Sequence, residues 1–479
     1  MSPMPQTPKS SPIVQRFLAA LDAWRHNQSG NFALIFALGA VVLTALVGMG
    51  IDYYVALSDK TRLDAAADAA ALAAANTAKA FYATNSGNLS QASLQAAAIL
   101  AGEAQGAKVF AANTATTTVV SPITPTIGIA YASLQFTSTV TWTGAIAAHF
   151  GPLVGLSTIA VSGSSGAVSS LPKFLDFYIV TDVSGSMGIP TSAADQQKLI
   201  LTNPDNAQEY SSYPSGCQFA CHFAGYTGFA YTQQNNVQIP LKLNTVGAAI
   251  QGLLTTANTT KVIANQFRVG IYTFIVDGIQ AAALSSNFTN ATSVANNLAN
   301  YIDNGTSNGG MNSGGTHFEN LWNDLKQYFQ TAGTGLTSSS TSPFLVLVTD
   351  GVDNGQTYSP FSGSSPQLPD TSSASSFCAK AKANGYTVAV LLIPYVPIVD
   401  PQPIWNDEDG AVNYLIDPTT YPAPPSPYKP TVPANSNASV NMQACASAGY
   451  FFSAGTATQI NNAMQTIFFQ AVAQSRLTQ

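Results

Sequence analysis

Hydrophobic and polar positions divide the chain into three stretches. Phe32 to Ile51 is twenty residues without a charge, and a helix of that length spans about 30 Å of hydrocarbon. From Asp52 to about Ala80 the sequence is Ala-rich with no Gly or Pro, so the helix is expected to continue beyond the apolar run. After about Gly106 the helical period fades. β-type runs such as Thr116–Val120 and Gln135–Trp142 alternate with Ser/Gly/Pro clusters, which predicts a helix followed by a small antiparallel sheet over 83–170. Beyond Leu171-Pro172 apolar runs alternate with amphipathic ones. Strands are expected near 174–181, 268–276, 343–349, 386–393 and 450–453. Helices are expected near 240–257, 290–302, 316–330, 372–384, 438–447 and 456–474. Phe344–Val348 and Val388–Ile393 are continuously apolar, as strands buried on both faces are. The pattern predicts an α/β, doubly wound, mostly parallel sheet. Two segments interrupt it. Residues 188–238 are polar and turn-rich, and residues 394–435 hold eleven prolines, which remove backbone donors. Both are expected to be surface insertions, the second without regular structure.

The uncharged run is longer than a signal-peptide core of about 7–15 residues, and no small-residue cleavage site ends it. A retained single span is expected. Lys9, Arg16 and Arg25 precede it against Asp22 alone; Asp52, Asp59, Asp64 and Asp68 follow it with Lys60 and Arg62. The positive excess lies on the N-terminal side. This predicts a cytoplasmic N-terminus, residues 1–31, with about 430 residues in the periplasm or outside. Only 8% of residues are charged against about 25% in an average protein, which suits an extracytoplasmic surface. The net charge of -6 gives no basic footprint for nucleic acid.

Candidate chemistry concentrates where the first predicted strand of the α/β region ends. The run Phe177–Thr181 delivers Asp182, Ser184 and Ser186 to a Gly-containing turn. Hard divalent cations take such oxygen ligands, and sites in open α/β sheets form beyond the carboxyl ends of strands. Alone, this spacing is also ordinary Asp/Ser turn chemistry. Two further segments add to it: Gly314-Gly315-Thr316 before a helix-like stretch, and Leu345–Asp350-Gly351, a second buried-type strand ending in Asp-Gly. With these residues, 171–479 resembles a von Willebrand factor A domain. The resemblance implies a Rossmann-like fold. It also implies a metal-ion-dependent adhesion site, MIDAS, formed by Asp182, Ser184, Ser186, Thr316 and Asp350. That site would hold Mg²⁺ (or Mn²⁺ or Ca²⁺) and leave one position for a partner's acidic residue. The segment Gln28-Ser-Gly30, Gly50-Ile-Asp52 and Arg62–Leu72 resembles the N-terminus of TadE/TadG-like Flp pilus-assembly proteins of the tight-adherence system. Ile35 stands five residues past Gly30, where type IV prepilins carry Glu, so the anchor is expected to be retained. Residues 52–170 are expected to form an extended helix plus a small pilin-like α+β region.

The four cysteines, Cys217, Cys221, Cys378 and Cys445, all follow the apolar run, where an even count permits disulfides. Cys217–Cys221 and Cys378–Cys445 are the expected pairs. Cys217-x₃-Cys221-His222 also invites a haem or zinc reading, but haem attachment uses two intervening residues, and a zinc site would need ligands beyond the remaining His26, His149 and His317. Buried free thiols at Cys378 and Cys445 are the alternative there. Asp407-Glu-Asp409-Gly410 reads as a solvated acidic turn, because EF-hand spacing would put Trp405 and Ile416 at ligand positions. His317 reads as a first-turn helix residue. The expected five-residue set holds two carboxylates and three hydroxyls with no general base. The chain is therefore expected to be no enzyme but a membrane-anchored, metal-dependent binding or adhesion module with protein partners in a pilus or secretion assembly, in a bacterial inner membrane. The alternatives are a metal-dependent hydrolase, a surface adhesin unrelated to pili, and a cytoplasmic chaperone-type A domain beside an ATPase, which the span argues against.

Overall fold

The computed structural model describes residue 16 and residues 29–115, 123–202, 239–302, 316–354, 366–396, 412–423, 430 and 436–477. They form two compact units: 1–82 with 90–170, and 83–89 with 171–479.

In the first unit, helix α1 (Ser29–Asn85) begins with the apolar run and continues as the Ala-rich sequence predicts. Over 33–51 its side chains are mostly exposed, among them Leu34, Ile35, Leu38, Val42 and Leu46. It is the one helix among the described residues long and apolar enough to cross a membrane. Further along, Leu63, Ala66, Ala67, Ala70, Ala71, Ala74 and Ala78 are buried, a stripe at the three- and four-residue spacing of one helix face. Helix α2 (Gln91–Thr114) starts at a cap in which Ser90 Oγ accepts from Ser93 N. It runs past Gly106, further than its periodicity suggests. Strands β1 (Thr126–Ala132), β2 (Gln135–Ala147) and β3 (Thr158–Ser170) form an antiparallel meander in the order β1-β2-β3. β2 alternates buried Phe136, Ser138, Val140 and Trp142 with exposed residues, the period of a half-covered strand. The run Thr116–Val120 lies outside the described residues.

Small side chains let α2 approach α1. A Cβ placed on Gly102 would lie 2.6 Å from Ala74 O and 2.5 Å from Ile129 Cδ1. Gly102→Ala should therefore lower stability by about 1–3 kcal/mol through overpacking, although Ala is the better helix former by about 1 kcal/mol. Thermal unfolding of the full-length protein in detergent reads the sign.

One carboxylate fastens α1 to the sheet loop. Asp52, buried at 3% exposure, accepts hydrogen bonds from His149 N, Phe150 N and Gly151 N, each at 2.8 Å.

The second unit carries a six-stranded sheet. Its strands are β4 (Leu175–Asp182), β5 (Phe267–Phe274), β6 (Gly278–Ser285), β7 (Ser342–Thr349), β8 (Thr387–Leu392) and β9 (Phe451–Ser453). The order is β9-β8-β7-β4-β5-β6, parallel except for β6, which runs antiparallel to β5. Numbered from β4, the order is 3-2-1-4-5-6, that of doubly wound nucleotide-type sheets. Every residue of β4 is buried, Asp176 and Asp182 included. Helices α4 (Lys242–Thr260), α5 (Thr289–Asn296) and α9 (Ala457–Leu477) cover one face, placing Val246, Ile250, Leu253, Met464 and Phe468 on Phe177, Ile179, Ile271 and Val346. Helices α6 (Leu321–Leu325), α7 (Phe377–Ala383) and α8 (Ala438–Cys445) cover the other, with Leu325, Phe377 and Met442 against Tyr178, Val180 and Leu347.

On that second face Cys378 and Cys445 form a disulfide with Cα atoms 5.2 Å apart, closing 67 residues of chain. Both residues are buried. Replacing the pair with Ala should cost about 4 kcal/mol by the chain-entropy account, measured by denaturant unfolding. Cys217–Cys221 lies outside the described residues.

Three expectations need correction. The proline-rich insertion is not wholly irregular, because 412–416 is helical; the insertion from 188, expected only to be polar and turn-rich, opens with helix α3 at 193–202, where Leu199 is buried. Val412 and Leu415 pack with Ile189, Val352 and Tyr395, so apolar burial organises a proline-free stretch between the prolines. The helix expected at 316–330 shrinks to α6, because His317 N is tied to Ile275 O at 2.8 Å, ahead of the helix. His317 therefore does not lie in a first helical turn. Finally, β6 is an unforeseen edge strand.

Candidate metal centre

The carboxyl ends of β4 and β7 are neighbours, so Asp182 and Asp350 reach the same sheet edge. Behind Asp182 the chain turns through Gly185–Gly188, with Ser184 at the start of that turn. Asp182 Oδ1 accepts from Ser184 N at 2.9 Å, and Oδ2 from Thr349 Oγ1 at 2.9 Å. Ser184 Oγ lies 3.0 Å from Ser186 Oγ and accepts from Thr316 Oγ1 at 2.9 Å. Three hydroxyls from two distant segments thus converge. All five residues of the expected site are at most 4% exposed. Asp350 Oδ1 is buried with no hydrogen-bond partner among the described residues. Such an orphan oxygen is costly unless something ligates it. The all-oxygen donor set and this unpaired atom fit a hard divalent cation. Burial, and next the charge of Asp350, push the Asp182 carboxyl up.

The sequence does not announce the residue that answers Asp350. Lys242, the first residue of α4, is fully buried and places Nζ 3.2 Å from Asp350 Oδ2. The same Nζ stands 4.1 Å from the ring centroid of Tyr395. A Lys is almost never fully buried unless paired. Burial drives its pKa down against the pull of Asp350 and then Asp182. Asn244 Oδ1 fixes the start of α4 by accepting from Leu241 N at 2.9 Å. The opposite end of β4 has a different character: Asp176 takes a bidentate bond from Arg268 at 2.7 and 2.6 Å, a closed structural pair.

Next to Thr316 and Asp350 in sequence, His317, Glu319 and Asp353 place one ligand-type atom each within 4.8 Å of one another. His317 Nδ1 lies 3.5 Å from Glu319 Oε2. This pairing was not evident from spacing. Burial lowers the His317 pKa, but the Glu319 hydrogen bond and nearby carboxylates outweigh it, so the net shift is upward. Burial and then Glu319 push the Asp353 carboxyl up to about 7. Asp407–Asp409 and His222 lie outside the described residues.

The strand order and the strand-end constellation give the second unit the doubly wound fold and the site layout that the von Willebrand factor A resemblance implies. Residues 30–77, within α1, match the model of the Flp pilus-assembly TadE/G-like family. No curated protein matches the chain. Among solved structures, an aerotolerance-related membrane protein from Bacteroides fragilis is 13% identical over 62% of this chain and 99% of its own, with a TM-score of 0.31. The PilB minor pilin from Streptococcus sanguinis is 11% identical over 73% and 78%, TM-score 0.29. Mussel byssus proximal thread matrix protein 1, with a zinc-occupied MIDAS motif, is 13% identical over 63% and 48%, TM-score 0.32. Likenesses this low leave the assignment to rest on strand order.

Proposed function

We propose that this chain is a membrane-anchored, metal-dependent binding module of Flp-type pilus assembly in a bacterial inner membrane. In this reading Asp182, Ser184, Ser186, Thr316 and Asp350 hold Mg²⁺ (or Mn²⁺ or Ca²⁺), and an acidic side chain of a partner protein completes the shell. The ion supplies a fixed positive charge. The chain's own residues orient it: Thr349 and Ser184 N hold Asp182, and the three hydroxyls hold one another. The observation that carries the reading is the convergence of those hydroxyls beside the orphan Oδ1 of Asp350. Binding rather than hydrolysis is proposed because the five-residue, all-oxygen donor set suits holding an ion for a partner's carboxylate to complete. The long apolar helix and its family match support anchoring.

Calorimetry on the full-length protein in detergent tests this. Wild type should bind Mg²⁺ or Mn²⁺, and both Asp182→Ala and Ser186→Ala should bind at least ~10-fold more weakly, a loss of about 1.4 kcal/mol. A partner pull-down should fail in chelator. Equal binding by wild type and both variants places the ion elsewhere.

The orientation is part of the proposal. A periplasm-dependent reporter fused after Gln479 should be active, and activity of a cytoplasm-dependent reporter at that position would reverse it.

A further inference from the structure

We propose that the turn Phe150–Leu156 dips into the bilayer surface beside α1, giving the protein a second membrane contact. The inference rests on the anchoring reading of α1. The packed face of α1 does not begin where the apolar run ends; it begins one turn inside it. Gly48 is buried within that run, and a Cβ there would lie 2.4 Å from Phe150 Cγ and 2.5 Å from Phe150 Cβ. Only a bare backbone admits the ring at that depth. One turn later Asp52 binds the backbone of His149, Phe150 and Gly151 at 2.8 Å. Gly48 and Asp52 therefore hold the turn at a fixed height on the helix, level with the last turn before the first charge. At 1.5 Å per residue, Gly48 lies about 5 Å below the end of the run at Ile51.

What the turn presents at that height is apolar. Gly151–Val154 is a single 3-10 turn, closed when Leu156 N donates to Gly151 O at 2.9 Å. Leu153 is 66% exposed, Val154 49% and Leu156 56%, and 150–156 contains no charged residue. Contiguous exposed apolar side chains mark an interaction surface. Its occupant follows from continuity: the patch adjoins the lipid-type surface of α1, where Val47 and Ile51 are exposed. Tyr53 and Tyr54, also exposed, stand just beyond, where aromatic side chains collect at the edge of a bilayer. Burial of about 5–10 Å into the headgroup and acyl boundary is the usual depth of interfacial segments.

Site-specific labelling of the full-length protein in phosphatidylcholine liposomes tests the proposal. Cysteines are placed singly at Leu153, at Leu38 in the span, and at Val168, an exposed apolar residue ten positions along β3 from Thr158, in a Cys217→Ser/Cys221→Ser background. Each carries an environment-sensitive fluorophore. Labels at 38 and 153 should be blue-shifted and quenched at least twofold by doxyl lipids; the label at 168 should be neither. Quenching at 38 without quenching at 153 overturns the turn's insertion and leaves the anchor standing. A label at 153 shielded from aqueous iodide yet unquenched by doxyl lipid means that protein covers the patch, and also overturns it. No quenching at 38 removes the anchor and this inference together. Leu153→Asp with Leu156→Asp, both on exposed positions, should make a label at Val154 iodide-accessible while the far-ultraviolet circular dichroism stays unchanged.

Discussion

Asp350→Ala should destabilise the A-type domain by about 3–5 kcal/mol, the usual cost of leaving a buried charge without its partner. The ammonium of Lys242 has no solvent to turn to, since both side chains of the pair are 0% exposed. The Tyr395 ring at 4.1 Å offers a desolvated cation–π contact of about 2 kcal/mol or more, which offsets only part of the loss of a carboxylate at 3.2 Å. The double variant Asp350→Ala/Lys242→Met should recover most of the loss, because well-packed apolar groups often replace a buried ion pair at no cost. Denaturant titration of the four proteins in the cycle gives the coupling directly. A single-variant loss below about 1 kcal/mol, the range of exposed ion pairs, would mean that the pair is open to water.

Lys242→Met should raise the affinity for Mg²⁺ by at least tenfold. The buried centre holds two carboxylates, Asp182 and Asp350, and one ammonium. A divalent ion turns a net charge of about −1 into +1 in wild type, but −2 into 0 in the variant, by Coulomb bookkeeping. A single and a double positive charge about 6 Å apart repel by about 5 kcal/mol at an effective dielectric constant of ~20. Relaxation discounts that figure, yet a third of it is a tenfold change. The same arithmetic gives the variant a metal-dependent melting temperature, because its ion-free form buries two uncompensated carboxylates. It also makes the wild-type ion more dependent on an anionic partner group than the variant's. Calorimetry with and without acetate reads both effects. Equal Mg²⁺ affinity in the two proteins would show that Lys242 stands outside the field of the ion.

The parts of this molecule that were legible in the sequence are those whose signals are local. Asp182, Ser184 and Ser186 lie at alternate positions just past an apolar run, so their meeting at a strand end follows from chain geometry. Thr316 and Asp350 required a resemblance to join them to that turn; nothing local in either segment says that they meet. Lys242 was invisible for the opposite reason. At the start of a 19-residue helix a Lys ordinarily faces water, and only the packing of α4 under the strand ends turns it inward. β6 escaped because Gly278–Ser285 lacks alternation: its residues are mostly half-exposed, and its ladder to β5 shifts register twice. His317 misled because a helix-like composition from 316 to 330 does not show that the chain ahead of Leu321 is tied to Ile275. The Ala-rich stretch announced a helix plainly. That its stripe would meet Gly102 at backbone distance is a fact of two helices and cannot be read from either.

The three backbone donors gathered on Asp52 have a mechanical consequence. A helix leaving a bilayer through a flexible stalk can spin and rock without disturbing what it carries. Here the first charged residue after the apolar run is clamped by charge-assisted bonds to the loop joining β2 and β3, so α1 meets the small sheet through a keyed shaft rather than a swivel. Torque about the helix axis, or a push along it, must pass into the three strands or break all three bonds together.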